Sequence, residues 1–93
     1  MLNKKNILIT GGTGSFGQKF IENVLKKYKP KRLIIYSRDE QKQFYLQQKW
    51  KNKKMSSLRY FIGDVRDLER LSSAMNNVDI VIHAAALKIG RAS

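Results

Sequence analysis

Short apolar runs alternate with longer amphipathic segments along this chain, and the alternation predicts an α/β fold. Four runs have the composition of buried strands, at residues 7–10, 33–36, 58–62 and 79–83. Apolar residues at helical spacing predict helices between these runs, over about 16–28, over about 39–50 and after the capping residue Asp67. We expect the second helix to bury Phe44, with Leu46 or Trp50 as a further core residue.

The order βαβαβαβ predicts a doubly wound parallel sheet. Because βαβ crossovers are right-handed, we expect the strand order 3-2-1-4, which is the first half of a Rossmann sheet, truncated after its fourth strand. Ninety-three residues leave room for at most one domain. Ligands of such sheets bind over the carboxyl ends of the strands, so the turns that follow the strands are where function is expected.

The turn after the first strand has the spacing of a dinucleotide-binding loop. Its glycines at 11, 14 and 17 follow a strand and open a helix, which is the context that the motif requires. The first permits a sharp exit from the strand, the second lets the backbone approach a pyrophosphate, and the third lets the helix pack closely on the sheet. Ordinary turn formation is the alternative role. The predicted cofactor loop comprises Gly11, Thr13, Gly14, Ser15, Phe16 and Gly17, with helix amides and two hydroxyls as donors.

The residues after the second strand favour NADP over NAD. Ser37 takes the position at which an acidic residue would bind the ribose 2′-hydroxyl of NAD. Arg38 offers a planar fork of donors suited to the 2′-phosphate of NADP, and Lys42 adds a point charge one helical turn later. Asp39 is able to reach the ribose instead, but it is better placed to cap the second helix.

The ends of the third and fourth strands supply three further candidates. Asp64 is suited to accept a hydrogen bond from the adenine amino group while Val65 packs on the ring, although a structural turn is an equal alternative. Ala84 leaves room for the nicotinamide ribose, but packing alone could also require alanine there. We expect His83, at the end of a buried strand, to be a core residue and not a catalyst.

Composition excludes several classes of function. Without cysteine and with one histidine, the chain offers no disulfide, no thiolate nucleophile and no metal site, and a reducing, cytoplasmic setting is expected. No apolar stretch approaches the length of about 20 residues that spans a bilayer, so no membrane partner is expected. The net charge of +12 makes a basic nucleic-acid-binding protein an alternative. No nucleic-acid motif accompanies the lysines of 42–54, so we expect a solvated helix face there and no nucleic-acid partner.

Five segments in register carry a resemblance to a known family, namely 7–17, 35–40, 43–44, 59–67 and 83–88. Together they resemble the extended short-chain dehydrogenases/reductases, and more narrowly the inverting UDP-N-acetylglucosamine 4,6-dehydratases of surface-sugar biosynthesis. The resemblance implies a homo-oligomeric lyase acting on a UDP-sugar. In such enzymes bound NADP⁺ accepts hydride from C4 of the sugar, water is lost across C5 and C6, and the hydride returns to C6. It also implies NADP binding by 13–16, 37–42, 64–65 and Ala84, and a substrate contact by Lys88.

The resemblance covers residues 2 to 88, and 89–93 depart from the family pattern. We expect 1–88 to form an NADP-binding half-domain without a substrate domain. The family's catalytic Thr-Asp-Lys and Tyr-x-x-x-Lys segments have no counterpart, so no catalytic residue is assigned and the chain alone is expected to be inactive. Tyr45 and Lys49 fit the second spacing but lie in the predicted second helix, where we expect helix surface. A further alternative is an NADP-binding module whose sheet a partner completes.

Overall fold

The computed structural model describes residues 2–51 and 57–84, in which strands and helices alternate as predicted. The elements are β1 (Asn6–Thr10), α1 (Ser15–Lys27), β2 (Arg32–Ser37), α2 (Glu40–Trp50), β3 (Leu58–Ile62), α3 (Leu68–Ala74) and β4 (Ile80–His83). The strands pair in parallel in the order β3-β2-β1-β4. The predicted α/β class and strand order are therefore confirmed.

The two central strands, β1 and β2, are buried along almost their whole length because helices cover both faces of the sheet. Alternate residues of these strands point to opposite faces. One face packs against α1 and α2 in a cluster that includes Ile7, Ile9, Ile21, Leu33, Ile35, Leu46 and Trp50. The other face forms a smaller cluster of Leu8, Ile34, Tyr36 and Ala74. This packing holds the carboxyl ends of β1, β2 and β3 side by side.

The face that α2 buries differs from the prediction. Phe44 is 63% exposed, so its expected place in the core was wrong, whereas Leu46 and Trp50, the alternatives for a further core residue, are both buried. The third buried position belongs to Gln43, which is 1% exposed. Its Nε2 atom donates to the carbonyl oxygens of Ser37 at 3.2 Å and Phe61 at 3.1 Å, so the amide links α2 to the ends of β2 and β3. Those bonds allow a polar side chain at a core position.

The fourth strand is less buried than its apolar sequence indicated. Ile80 and Ile82 are half-buried, but Val81 and His83, on the opposite face, are exposed. The prediction that His83 is a core residue was therefore wrong. The Nδ1 atom of His83 is hydrogen-bonded to the Thr10 hydroxyl, its neighbour across the parallel register. Among the described residues β4 pairs only with β1, which explains its exposure.

Candidate functional site

The carboxyl ends of β1, β2 and β3 border a cleft of about 470 Å³, here called the strand-end cleft. Its walls include Gly11 and Thr13 from the loop after β1, Ser37 and Arg38 from the end of β2, and Asp64 and Val65 from the loop after β3. Six of the predicted cofactor residues therefore lie together, although they come from three separate parts of the sequence. Asp39, weighed from the sequence as a ribose ligand or a helix cap, also lines the cleft, and Tyr36, Gly63 and Arg66, which were not predicted, complete the lining.

A second cleft, of about 540 Å³, lies beside the first and is called here the helix-start cleft. It lies between the first turns of α1 and α2 and is lined by Thr13, Gly14, Ser15, Gln18, Gln41, Lys42 and Tyr45. Thr13 borders both clefts. Arg38 thus places a cationic side chain in the first cleft, and Lys42 places one in the second.

The glycines of the loop have different structural requirements. Gly11 has φ 72°, a left-handed conformation that favours glycine. A Cβ on Gly17 would lie 2.5 Å from Cα of Gly12, so close packing of α1 on the loop requires glycine there. Gly14 has φ −74° and ψ 169°, and its Cβ would meet only the carbonyl oxygen of Gly11, at 3.9 Å. Neither backbone conformation nor packing within the described structure therefore requires glycine at position 14.

The amino terminus of α1 is left open, in contrast to those of α2 and α3. Asp39 and Asp67 cap α2 and α3 by accepting hydrogen bonds from backbone amides, which confirms both predicted caps. At α1 the N-cap residue is Gly14, no side-chain cap is formed, and the first turn carries no acidic residue. The first amides of a helix are unsatisfied donors and carry the positive end of its dipole. The start of α1 is therefore suited to an anionic ligand.

Hydrogen bonds fix the floor where the two clefts meet. Ser37 is buried, and its hydroxyl accepts from the Asp39 amide at 3.0 Å and lies 3.4 Å from the Thr13 hydroxyl. Gln18 Nε2 donates to the Thr13 carbonyl at 2.9 Å, which ties the loop to α1. Asp39 Oδ1 accepts from the Lys42 amide at 3.0 Å. Asp39 therefore has the capping role expected from the sequence.

Tyr36 forms the rear wall of the strand-end cleft. Its ring stacks on Phe61 with centroids 5.7 Å apart, and its hydroxyl donates to the Asp64 carbonyl at 2.9 Å. Burial raises the pKa of the Tyr36 phenol, with a further contribution from the nearby Asp67 carboxylate, so the phenol remains a donor at neutral pH. A Cβ on Gly63 would lie 2.6 Å from Tyr36 Cζ, and glycine is therefore required beside the ring.

The charged groups of the strand-end cleft centre on the Asp64 carboxylate. The Arg66 backbone amide and Nε atom donate to Oδ1 at 2.9 and 3.2 Å, and its Nη2 atom donates to Oδ2 at 2.9 Å. These hydrogen bonds hold the pKa of Asp64 far below its ordinary value, so the side chain is ionised. Arg38 Nη1 lies 3.6 Å from the same Oδ2 atom. Arg66 was not predicted as a site residue, although its position two residues after Asp64 could have indicated this contact.

Three predicted residues among those described, Phe16, Gly17 and Ala84, do not line either cleft. Phe16 packs against the core, and Gly17 is buried beneath the loop. Ala84 is 2% exposed in the core cluster, which supports packing as the reason for alanine there. Lys88 lies outside the described residues. Tyr45 and Lys49 lie in α2 as expected; Tyr45 is 62% exposed, and Lys49 Nζ lies 3.5 Å from a Glu22 carboxylate oxygen.

No group of three or more histidine, aspartate or glutamate residues in 2–51 and 57–84 is arranged to hold a metal ion. None of the described helices has both the length and the apolar character needed to cross a membrane. The two clefts around the glycine-rich loop contain nine of the predicted site residues and form the candidate site.

Comparison with known proteins relates this chain to nucleotide-sugar enzymes. Residues 7–89 match the family described as polysaccharide biosynthesis protein. The chain is 62% identical over 88 residues to the inverting UDP-N-acetylglucosamine 4,6-dehydratase of Campylobacter jejuni, a match that covers 95% of this chain and 25% of that protein. It is 44% identical over 91 residues to the UDP-glucose 4-epimerase of Rickettsia prowazekii, covering 95% of this chain and 26% of that one.

A solved structure has a similar fold. Pen from Bacillus thuringiensis superimposes with a TM-score of 0.81 at 44% identity, over 89% of this chain and 25% of that protein. The chain spans about a quarter of the length of each of these relatives.

Proposed function

We propose that this chain, which belongs to the polysaccharide biosynthesis protein family, is the NADP-binding part of a UDP-N-acetylglucosamine 4,6-dehydratase. Identity of 62% to the Campylobacter jejuni dehydratase, against 44% to the Rickettsia epimerase, favours dehydration over epimerisation. The UDP-sugar substrate, a homo-oligomeric assembly, a cytoplasmic location and the substrate contact of Lys88 belong to this proposal. They concern a protein in which this chain is joined to the remainder that its relatives have.

The observation that carries the proposal is the glycine at position 14. It lies at the open start of α1, where packing and backbone conformation leave a Cβ free of collision. Glycine there keeps the space in front of the helix amides clear for a ligand that approaches the backbone closely. A pyrophosphate is such a ligand, because it accepts several backbone amides and is stabilised by the helix dipole. The residues present therefore fit a dinucleotide.

The charges beside the loop support NADP as that dinucleotide. Arg38 and Lys42 are both largely exposed, so their guanidinium and ammonium groups are accessible to a 2′-phosphate. No carboxylate takes the place of Ser37, and Asp39 serves as the cap of α2. Asp64 and Val65 are proposed to hold the adenine by a hydrogen bond and an apolar contact. When bound, the nicotinamide cofactor supplies the hydride acceptor that a 4,6-dehydratase needs.

Binding measurements on the Gly14→Ala variant test this proposal. Calorimetric titration should show NADP binding to the wild-type chain more tightly than NAD, and Gly14→Ala should weaken NADP binding at least tenfold, or about 1.4 kcal/mol. Alanine is sterically allowed at φ −74° and ψ 169°, so thermal unfolding should change little. Gly17→Ala is the contrasting variant and should destabilise the fold, because its Cβ would lie 2.5 Å from Gly12 Cα.

Asn23→Ala, on the exposed face of α1, is the control and should leave both properties unchanged. Unaltered NADP affinity in Gly14→Ala would remove the main support for a dinucleotide. Tighter binding of NAD than of NADP would overturn the cofactor preference alone.

The chain by itself is proposed not to catalyse dehydration. Its Tyr-x-x-x-Lys spacing at 45–49 lies on α2, where Lys49 contacts Glu22. Incubation of the 93-residue chain with UDP-N-acetylglucosamine and NADP⁺ should yield no 4-keto sugar by mass spectrometry. A 4-keto product from the pure chain would contradict this part of the proposal.

A further inference from the structure

The Asp64 carboxylate has almost all of its acceptor capacity taken by one residue. A carboxylate offers about four lone-pair positions. Arg66 fills two on Oδ1, with its amide at 2.9 Å and its Nε atom at 3.2 Å, and one on Oδ2, with Nη2 at 2.9 Å. A single position, on Oδ2, is left for any other donor.

Arg38 lies at that remaining position but holds it loosely. Its Nη1 atom is 3.6 Å from Oδ2, against 2.9 Å for Arg66 Nη2. A separation of 3.6 Å exceeds a hydrogen bond, so the Arg38 contact is an ion pair only. The side chain of Arg38 is also 75% exposed, which lowers the cost of leaving Asp64. Arg38 is therefore the partner that a competing donor would displace.

The proposed cofactor would require both members of this ion pair at once. Its adenine amino group would donate to Asp64, and its 2′-phosphate would bind Arg38. We propose that the two events are an exchange: the amino group replaces Arg38 on Oδ2 of Asp64, and the released guanidinium binds the 2′-phosphate. This inference rests on the proposed NADP function and assigns Arg66 a positioning role, because Arg66 leaves only one position to be shared.

Such an exchange makes binding of the adenine amino group and binding of the 2′-phosphate cooperative. When adenine is present, Arg38 has already left Asp64, and the 2′-phosphate gains its full interaction. When the base lacks the amino group, the 2′-phosphate has to break the Arg38–Asp64 pair itself. The affinity gained from the 2′-phosphate should thus be greater for adenine than for hypoxanthine. Exposed ion pairs change an equilibrium constant by up to about fivefold, so a factor of about two to five is expected.

Four ligands measure this coupling on the full chain: NAD, NADP and their hypoxanthine analogues, which lack the amino group. The coupling is expressed as a quotient: the dissociation constant of NAD divided by that of NADP, with this ratio then divided by the same ratio for the hypoxanthine analogues. In the wild type this quotient should be about two to five. Arg38→Gln should reduce the quotient to about one, because no pair remains to be broken. Arg66→Gln should do the same, because it frees two acceptor positions and lets adenine and Arg38 bind Asp64 together.

Lys49→Gln removes one positive charge from the surface of α2, away from Asp64, and is the matched control. Its quotient should equal that of the wild type. If all four ligands bind and the wild-type quotient is one, the exchange is refuted while the proposed function stands. If none of the four binds, both are refuted. A quotient that survives Arg66→Gln would overturn the positioning role of Arg66.

Discussion

Gln43→Glu should make the stability of the fold depend on pH, because it replaces a buried amide donor that joins α2 to the sheet. The Gln43 side chain is 1% exposed, and its Nε2 atom faces the carbonyl oxygens of Ile35, Ser37 and Phe61 at 3.4, 3.2 and 3.1 Å. Its Oε1 atom has no hydrogen-bond partner among the described residues. A glutamate replaces the amide donor with an acceptor, so an ionised side chain would face carbonyl dipoles in a dry site.

The magnitude follows from the cost of ionising a buried carboxyl. Burial disfavours the charged form, so the folded-state pKa of the introduced carboxyl should rise above its unfolded value of about 4.3. Between those two pKa values the folded state holds a proton that the unfolded state has lost. Stability then falls by about 1.4 kcal/mol per pH unit as pH rises. If the folded pKa exceeds 7, as it does in documented buried glutamates, the penalty at pH 7 is about 3.7 kcal/mol.

Urea denaturation at pH 5, 6 and 7 measures this slope. Gln48→Glu is the matched control, because Gln48 lies on the exposed face of the same helix and an exposed carboxylate needs no proton there. A domain of this size has about 5–14 kcal/mol of stability, so the loss in Gln43→Glu is readily measured. Equal stabilities of Gln43→Glu at pH 5 and pH 7, relative to wild type, would refute the buried-donor role of Gln43.

Two further predictions concern the strand-end cleft. Gly63→Ala should lower the free energy of unfolding by about 1–3 kcal/mol, because its Cβ would lie 2.6 Å from Tyr36 Cζ. The double variant Gly63→Ala, Tyr36→Leu should lose less stability in thermal unfolding than the sum of the losses in the two single variants. Strict additivity would contradict the steric explanation. Arg66 lowers the folded-state pKa of Asp64, so the stability that Asp64 contributes is present above its unfolded pKa and is lost as pH falls through the folded value. Wild type should therefore exceed Asp64→Asn in stability at pH 6, with a difference that shrinks on acidification; a pH-independent difference in urea denaturation would contradict this.

The strand order and the location of the candidate site were predictable from sequence because both follow from local rules. Hydrophobic runs at 7–10 and 33–36 identify the central strands, and right-handed crossovers then fix their neighbours. Once the order is fixed, the turns after β1, β2 and β3 meet at one edge. No knowledge of individual side-chain contacts is needed for that step.

The errors came from contacts between residues distant in sequence. Helical periodicity did not distinguish Phe44 from Gln43 as the buried residue, because the choice depends on carbonyl groups at the ends of two strands. Hydrophobicity similarly gave no sign that one face of β4 is exposed at Val81 and His83, since that depends on what packs over the strand. The sharing of Asp64 by Arg38 and Arg66 likewise requires the folded arrangement of two loops.

The glycine residues show how structure separates roles that a sequence motif combines. The spacing 11, 14, 17 predicted a cofactor loop, but Gly11 and Gly17 are already explained by a left-handed φ and by close packing. Such glycines would occur in the loop whether or not a ligand bound. Of these three glycines, only Gly14 is required neither by its backbone conformation nor by close packing. It lies at the one described helix start without a side-chain cap. The case for an anionic ligand therefore depends on that position much more than on the motif as a whole.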